Sequence, residues 1–572
     1  MLDRLTSLLT RHKVPLASAK AAQSWWRPLD ETDPENQLLK VDHAVSDFLV
    51  GKQPLSLDIL QSLLWLDNAV QPALESICFQ YVSNPRMPRE IEQKLWRLIH
   101  GFSQRMVEAY GRYVQAGGGE NSNNSFDSEM PKILARSLRY LAIQAKWHYF
   151  RFEKATPKLW KMANQYYRLA EIENFDSNPF TLYPSISEQV TSCADEYIQM
   201  LMLATVSNNN LTAMQMDNLD TWLERWSKLL QLDRNYHSEQ HHYRVSLLGS
   251  NGPQKIDTTM TGELCRYWGV GELVRCIHEK LVQLEGGATP QSLELGEKIP
   301  SVGVIELLKQ LDQFWTMSMR HSQIQRMERF KVNKSVHVIH GLDSLCTHIR
   351  EDNNRHRQEF GTEKSTGKAD FDEVMDMRLY GFVSDRTRSK LAQNPHALQD
   401  NKQQVWQTWI VDNESVSGLG TVLNSNTNEW VKPGRLIGVR FDEKDNWRVG
   451  VVRRLNRLNH DELFAGIQIL ANTPVTVTMR SDELDRMEGI TVTDPGFHGG
   501  IDLPNVKMAL YLPHKVEGAN INSLIMRAAD YSPNRVCRVQ ARDKVFSVSL
   551  GVVLEKGVDW TWVTVNVLNK EK

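Results

Sequence analysis

From the N-terminus to about residue 325, apolar positions recur at intervals of three and four, the period of an α-helix. The segment 89–115 shows the pattern most fully. Ile91, Leu95, Leu98, Phe102, Met106, Tyr110 and Tyr113 share one face, with Arg89, Glu92, Lys94, Arg97 and Arg105 largely off it, so that face is expected to pack against other helices. Similar patterns occupy about 55–82, 130–152, 158–173, 183–206, 211–232, 262–285 and 303–326, and Gly/Asn/Ser-rich pieces such as Gly117 to Ser125 and Ser207 to Asn210 separate them. Both a helical bundle and a solenoid of stacked helix pairs fit this series. The tryptophans of this half, among them Trp25, Trp26, Trp65, Trp96, Trp222 and Trp226, read as helix-packing anchors.

At about residue 326 the pattern changes to short β-branched or aromatic runs: Val336 to His340, Val405 to Val411, Leu436 to Phe441, Trp447 to Val452 and Ala465 to Leu470. Turn residues such as Lys432-Pro433-Gly434 separate them, and strands so closely spaced predict a small antiparallel barrel. A polar insertion, about 341–403, follows the first run and holds a helical piece near 371–380. Beyond residue 486 the runs Met508 to Leu512, Cys537 to Ala541, Val545 to Leu554 and Trp560 to Val567 either complete that barrel or make a second one. The fold class expected is therefore α+β: a helical domain at 1–325, a β-barrel at 326–485 and a β extension or second small β domain at 486–572.

Composition sets the limits. With 572 residues, 41% hydrophobic and 24% charged, the chain is globular and long enough for about two to four domains. A formal net charge of −2 argues against bulk binding to duplex nucleic acid or to anionic membranes. No run approaches the ~18 apolar residues of a membrane span, the first residues do not read as a signal peptide, and the six cysteines lie far apart without a C-x-x-C pair. These features predict free thiols in a reducing, cytoplasmic setting.

Chemistry is sparse. His237, His241 and His242 share helical spacing but have no evident third ligand, so no metal is expected. Gly361 to Ala369 imitates a phosphate loop with one residue too many and Ala where Ser or Thr should hold magnesium. Gly117 to Asn121 falls short of a cyclase signature, and neither a nucleophile elbow nor a glycine-rich dinucleotide turn is present. No catalytic residue is expected.

One element stands apart: Asn413-Glu414-Ser415-Val416-Ser417-Gly418 lies between two strand-like runs. Asn413, Ser415 and Gly418 resemble the (D/N)-x-S-x-x-G turn of the PilZ family, and GRLIGVRF, NWRVGVVRRL and FAGIQIL follow in the order of that family's later strands. The family's second signature, R-x-x-x-R before the first strand, has two counterparts. Arg326 and Arg329 precede Val336 to His340 but stand three apart; Arg386, Arg388 and Lys390 have the spacing, with Lys for the second Arg. The resemblance covers about 150 residues, and either cluster stays open as the one that completes the site.

The resemblance implies a bacterial receptor for cyclic di-GMP, whose two phosphates and two guanines call for Arg forks and for a close-approaching backbone turn. Arg326, Arg329, Arg386, Arg388, Lys390, Asn413, Ser415 and Gly418 are then the expected ligand residues, with a protein partner engaged by the helical half. The alternatives are a scaffold whose barrel has lost its ligand and a single-strand nucleic-acid binder using Trp406 and Trp409 on one face of a strand.

Overall fold

The computed structural model describes residues 15–319, 329–360, 406–481 and 507–571, apart from 30, 52–53, 85–86, 118–125, 187–189, 208–210, 257–261, 263, 416, 443–444, 460, 517–518 and 542–543. The chain divides into two compact units, Met1–Arg326 and Met327–Lys572. The first is helical and the second holds two antiparallel barrels, so the architecture is α+β.

The helical unit runs α1 (Ala19–Trp26), α2 (Pro34–Val50), α3 (Leu57–Ser83), α4 (Arg89–Gly117), α5 (Met130–Phe150), α6 (Pro157–Ile172), α7 (Cys193–Thr205), α8 (Ala213–Trp226), α9 (Gly271–Glu285) and α10 (Ser301–Met319). Short polar residues start many of them. Ser18, Asp33, Ser56, Thr156, Ser192 and Thr212 each accept a hydrogen bond from a first-turn N–H, and Thr212 N in return donates to Gln215 Oε1. The stripe on α4 is buried as expected, except Ile91 near the exposed N-terminal end, which is 42% exposed. Two small sheets complete the unit: β1 (Phe180–Thr181) with β2 (Val190–Thr191), and β3 (Tyr243–Ser246) between β4 (Gln254–Lys255) and β5 (Cys265–Trp268).

At the centre of this unit Asp67 is fully buried and fully engaged. Arg136 Nη1 donates to Asp67 Oδ2 at 2.9 Å, Tyr110 Oη donates to Oδ2 at 2.5 Å, and Tyr140 Oη donates to Oδ1. Arg136 also donates to the carbonyls of Leu64 and Leu182, each at 2.8 Å. The histidines of the rejected metal reading have structural partners: His241 Nε2 lies 2.9 Å from Asp233 Oδ2, and His242 Nδ1 accepts from Val270 N.

The first barrel closes in the order β10 (Arg448–Arg457), β11 (Glu462–Ala471), β8 (Gly418–Asn424), β7 (Gln407–Ser415), β6 (Phe330–His340), β9 (Leu436–Arg440). Inward residues such as Val336, Val338, Trp409, Val411, Leu419, Thr421, Ala465 and Ile467 are buried. Strand β8 has no apolar run of its own in the sequence reading, because Gly418 and Gly420 dilute it. The insertion also differs from expectation at its start. Residues Leu342–Phe360 form α11, whose Leu342, Leu345, Cys346 and Ile349 are buried. The helical piece near 371–380 and the phosphate-loop imitation at 361–369 lie outside the described residues.

The second barrel is separate and also closed: β12 (Val475–Ser481), β13 (Lys507–Val516), β14 (Ala519–Arg527), β17 (Trp560–Glu571), β16 (Lys544–Lys556), β15 (Val536–Ala541). Strand β12, which a division at 485 leaves with the first barrel, pairs with β13 and β15. Its interior is Val477, Met479, Leu524, Met526, Cys537, Val539, Val548, Leu550, Val563 and Val565. Between the barrels, α11 and the outer faces of β9 and β10 share one apolar cluster with Leu510, Leu512, Ile525, Trp560 and Trp562. Arg435 reaches Asp559 at 2.6 Å, Trp560 Nε1 donates to Gly434 O at 2.9 Å, and Arg453 forks onto Glu555 with Nη2–Oε2 at 2.7 Å. All six cysteines are free. No helix among the described residues is long and apolar enough to cross a membrane.

Candidate ligand site on the first barrel

Residues Asn413 to Gly418 end β7 and open β8, with Ser415 paired opposite Gly418. Ser415 Oγ donates to Gly418 O at 3.2 Å, and Ile469 N on β11 donates to Ser417 O at 2.9 Å, so the turn is bound from within and from the neighbouring strand. A Cβ on Gly418 would lie 2.7 Å from Ile467 O. Only glycine lets the two backbones approach so closely.

Parity decides where Asn413 points. Val411 faces the barrel interior and is fully buried, so regular alternation would send Asn413 inward as well. A bulge between Val411 and Asn413 intervenes, and bulges re-aim the residues that follow them. Asn413 therefore lies on the outer face, where Arg329 Nη1 donates to its Oδ1 at 3.3 Å and its own Nδ2 donates to Asp412 Oδ2 at 2.9 Å. The same device recurs on β10. Val452 is buried, a bulge follows, and Arg454 emerges outside directly after Arg453.

Register then assembles a row. Asn413 on β7 pairs with Gly420 on β8, Gly420 with Gly466 on β11, and Gly466 with Arg454 on β10. The two adjacent glycines leave the sheet bare, and neighbouring side chains lie over it. A Cβ on Gly420 would stand 2.6 Å from both Asn413 Oδ1 and Phe464 Cζ, and one on Gly466 would stand 2.6 Å from Arg454 Cγ. The Arg454 guanidinium lies 5.6 Å from the Phe464 ring centroid, within cation–π range. Lys331 extends the row, paired with Asn413 from β6. Arg448 lies 3.9 Å from Glu414, and Arg453 donates to Gln468 Oε1 at 2.7 Å.

Of the residues expected from sequence, Arg329, Asn413, Ser415 and Gly418 are therefore brought together. Arg326, Arg386, Arg388 and Lys390 lie outside the described residues. Arg454, Gly420, Phe464 and Gly466 are not among the ligand residues expected from sequence; the G-x-G spacing of Gly418 and Gly420 and the Gly466 within an apolar run were the available signals. The pair Trp406 and Trp409 does not share a face. Three residues apart, they diverge: Trp409 is 1% exposed inside the barrel and bonds Asn428 Oδ1 at 2.9 Å, while Trp406 packs beside His337 and Arg440. Trp409 thus offers no ring face to a base.

A helical unit followed by a six-stranded barrel with an Asn-x-Ser-x-x-Gly turn and an arginine docked on it defines a PilZ-type protein. Two family models match the chain, the cyclic-di-GMP receptor FimW N-terminal domain over residues 20–238 and the cyclic-di-GMP receptor FimW middle PilZ domain over residues 265–474. Together they take in about three quarters of the sequence, and the chain belongs to this family of cyclic di-GMP receptors. The second match ends where the second barrel begins, at Val475. No curated protein and no solved structure matches the chain.

Proposed function

We propose that this chain is a cytoplasmic cyclic di-GMP effector, not an enzyme, that binds the nucleotide on the outer face of its first barrel and passes the signal to a protein partner through its helical unit. The observation that carries the reading is the Arg329–Asn413 hydrogen bond, which joins two halves of a phosphate- and guanine-binding signature 84 positions apart in sequence. Asn413 offers an amide to a guanine edge, Ser415 a hydroxyl, and Arg329 a planar fork that suits a phosphate better than a lysine would. Arg326, Arg386, Arg388 and Lys390 belong to the same proposal as the further charge around the ligand. Such a ligand changes what the protein presents only by binding one conformation more tightly than another.

Calorimetry with cyclic di-GMP on the full chain tests it. Saturable binding is expected for the wild type, weakened by roughly 2 kcal/mol in Arg329→Ala, which removes a charge-assisted contact, and by about 1 kcal/mol in Asn413→Ala. Arg386→Ala, run beside them, decides which basic cluster contributes more. Absence of binding heat in the wild type, together with no displacement of a labelled nucleotide, would sink the receptor reading.

A further inference from the structure

The row across the first barrel has two polar ends. Asn413 and Arg454 stand on strands three spacings apart, about 14 Å at the backbone, yet both side chains lean inward over the bare sheet at Gly420 and Gly466. A ligand with two bases has a contact for each at such a row. At one end the amide of Asn413 is already held by Arg329. At the other, the Arg454 stem lies on Gly466 and its guanidinium over Phe464. Glycine at 466 is what lets the stem lie flat, and the aromatic ring limits the rotamers of a side chain that otherwise loses much entropy when fixed.

We propose that Arg454, seated on Phe464 above the paired glycines, is a guanine-recognising residue of this site, forking onto O6 and N7 of the base opposite the one read by Asn413. The assignment rests on the reading of the site as one for cyclic di-GMP. Arginine is suited to that edge because its two parallel N–H donors match the two acceptors of guanine, whereas adenine presents a donor in place of O6. Lysine at 454 would keep the charge and lose the fork.

The test pairs a protein change with a ligand change. Cyclic di-GMP and its 7-deaza analogue, which keeps both phosphates and O6 but lacks the N7 acceptor, are titrated calorimetrically into the full-length wild type, Arg454→Ala and Arg454→Lys, with thermal melting as the check on folding. The wild type is expected to bind the analogue about tenfold more weakly than the native ligand. Arg454→Ala should lose about tenfold or more on the native ligand and show little further loss on the analogue, and Arg454→Lys should behave in the same way. Phe464→Leu should move the native affinity in the same direction by removing the ring beneath the guanidinium. Equal wild-type affinity for the two ligands overturns the assignment, as does a loss in Arg454→Ala that is the same for both. A wild type that binds neither ligand fails the receptor reading itself, which is a different result.

Discussion

The polar centre of the helical unit and the polar row of the first barrel use similar side chains for opposite ends. Around Asp67 every carboxylate oxygen is taken, by Arg136, Tyr110 and Tyr140, and the aspartate has no exposed surface. Burial, and then the Asp67 carboxylate, push the phenols of Tyr110 and Tyr140 far above their ordinary range, so both stay protonated as donors. On the barrel, Asn413, Arg454 and Phe464 are only half-buried and Arg329 is exposed, and they lie over a sheet kept bare by glycine. A closed network fixes a fold. A half-open row above a glycine-lined sheet leaves polar side chains at the surface, where the proposed ligand would meet them.

Three changes break or sharpen this contrast. The largest effect is expected in the helical unit: Asp67→Ala leaves Arg136 as a buried charge without its counterion and should destabilise the unit by about 3–5 kcal/mol in denaturant unfolding, while the nucleotide affinity of the folded fraction stays unchanged. A cost below about 1 kcal/mol would mean the cluster does not hold the fold. Gly420→Ala comes next, with the reverse signature. Its Cβ would displace the Asn413 amide and the Phe464 ring, so cyclic di-GMP affinity should drop about tenfold, roughly 1.4 kcal/mol, with only a small shift in melting. Loss of stability with unchanged affinity would place the glycine in the fold and not in the site.

The smallest effect concerns pH. His100 faces His148, with Nε2 atoms 3.2 Å apart, and Trp96 stacks on it at 4.5 Å. Burial first, and the neighbouring His148 second, lower its pKa from 6.5 to about 4. Between these values the unfolded chain takes up a proton that the folded chain refuses, so this contribution to stability is complete above pH 6.5 and is lost as pH falls toward 4. Melting of the helical unit should fall on the order of 1–2 °C between pH 7 and pH 5 on this account. His100→Gln should flatten that part of the profile; an unchanged slope would assign the pH dependence to other groups.

Much of the fold was legible because its signals are local. The stripe Leu95, Leu98, Phe102, Met106, Tyr110 and Tyr113 needs only a period of 3.6 to be read, and it is buried. The Asn413 to Gly418 turn is a run of residues with intrinsic turn preference. What escaped was of two kinds. Strands β8 and β12 and helix α11 have apolar positions too few or too diluted by glycine and polar residues to stand out from single-sequence patterning. Phe464, Gly466 and Arg454 are ordinary in their own segments and acquire meaning only beside Gly420 and Asn413.

The sequence by itself determined the change from helical to strand period near residue 326, the turn that marks the family and the class of ligand such a turn serves, because period, turn preference and side-chain chemistry act over a few residues. The tertiary structure decided which polar groups meet. Two bulges set the outward direction of Asn413 and Arg454 against the parity of their strands, and the pairing of β8 with β11, which joins the β7–β8 hairpin to the β10–β11 hairpin, placed two glycines between them. Those are properties of pairing, and no single strand carries them.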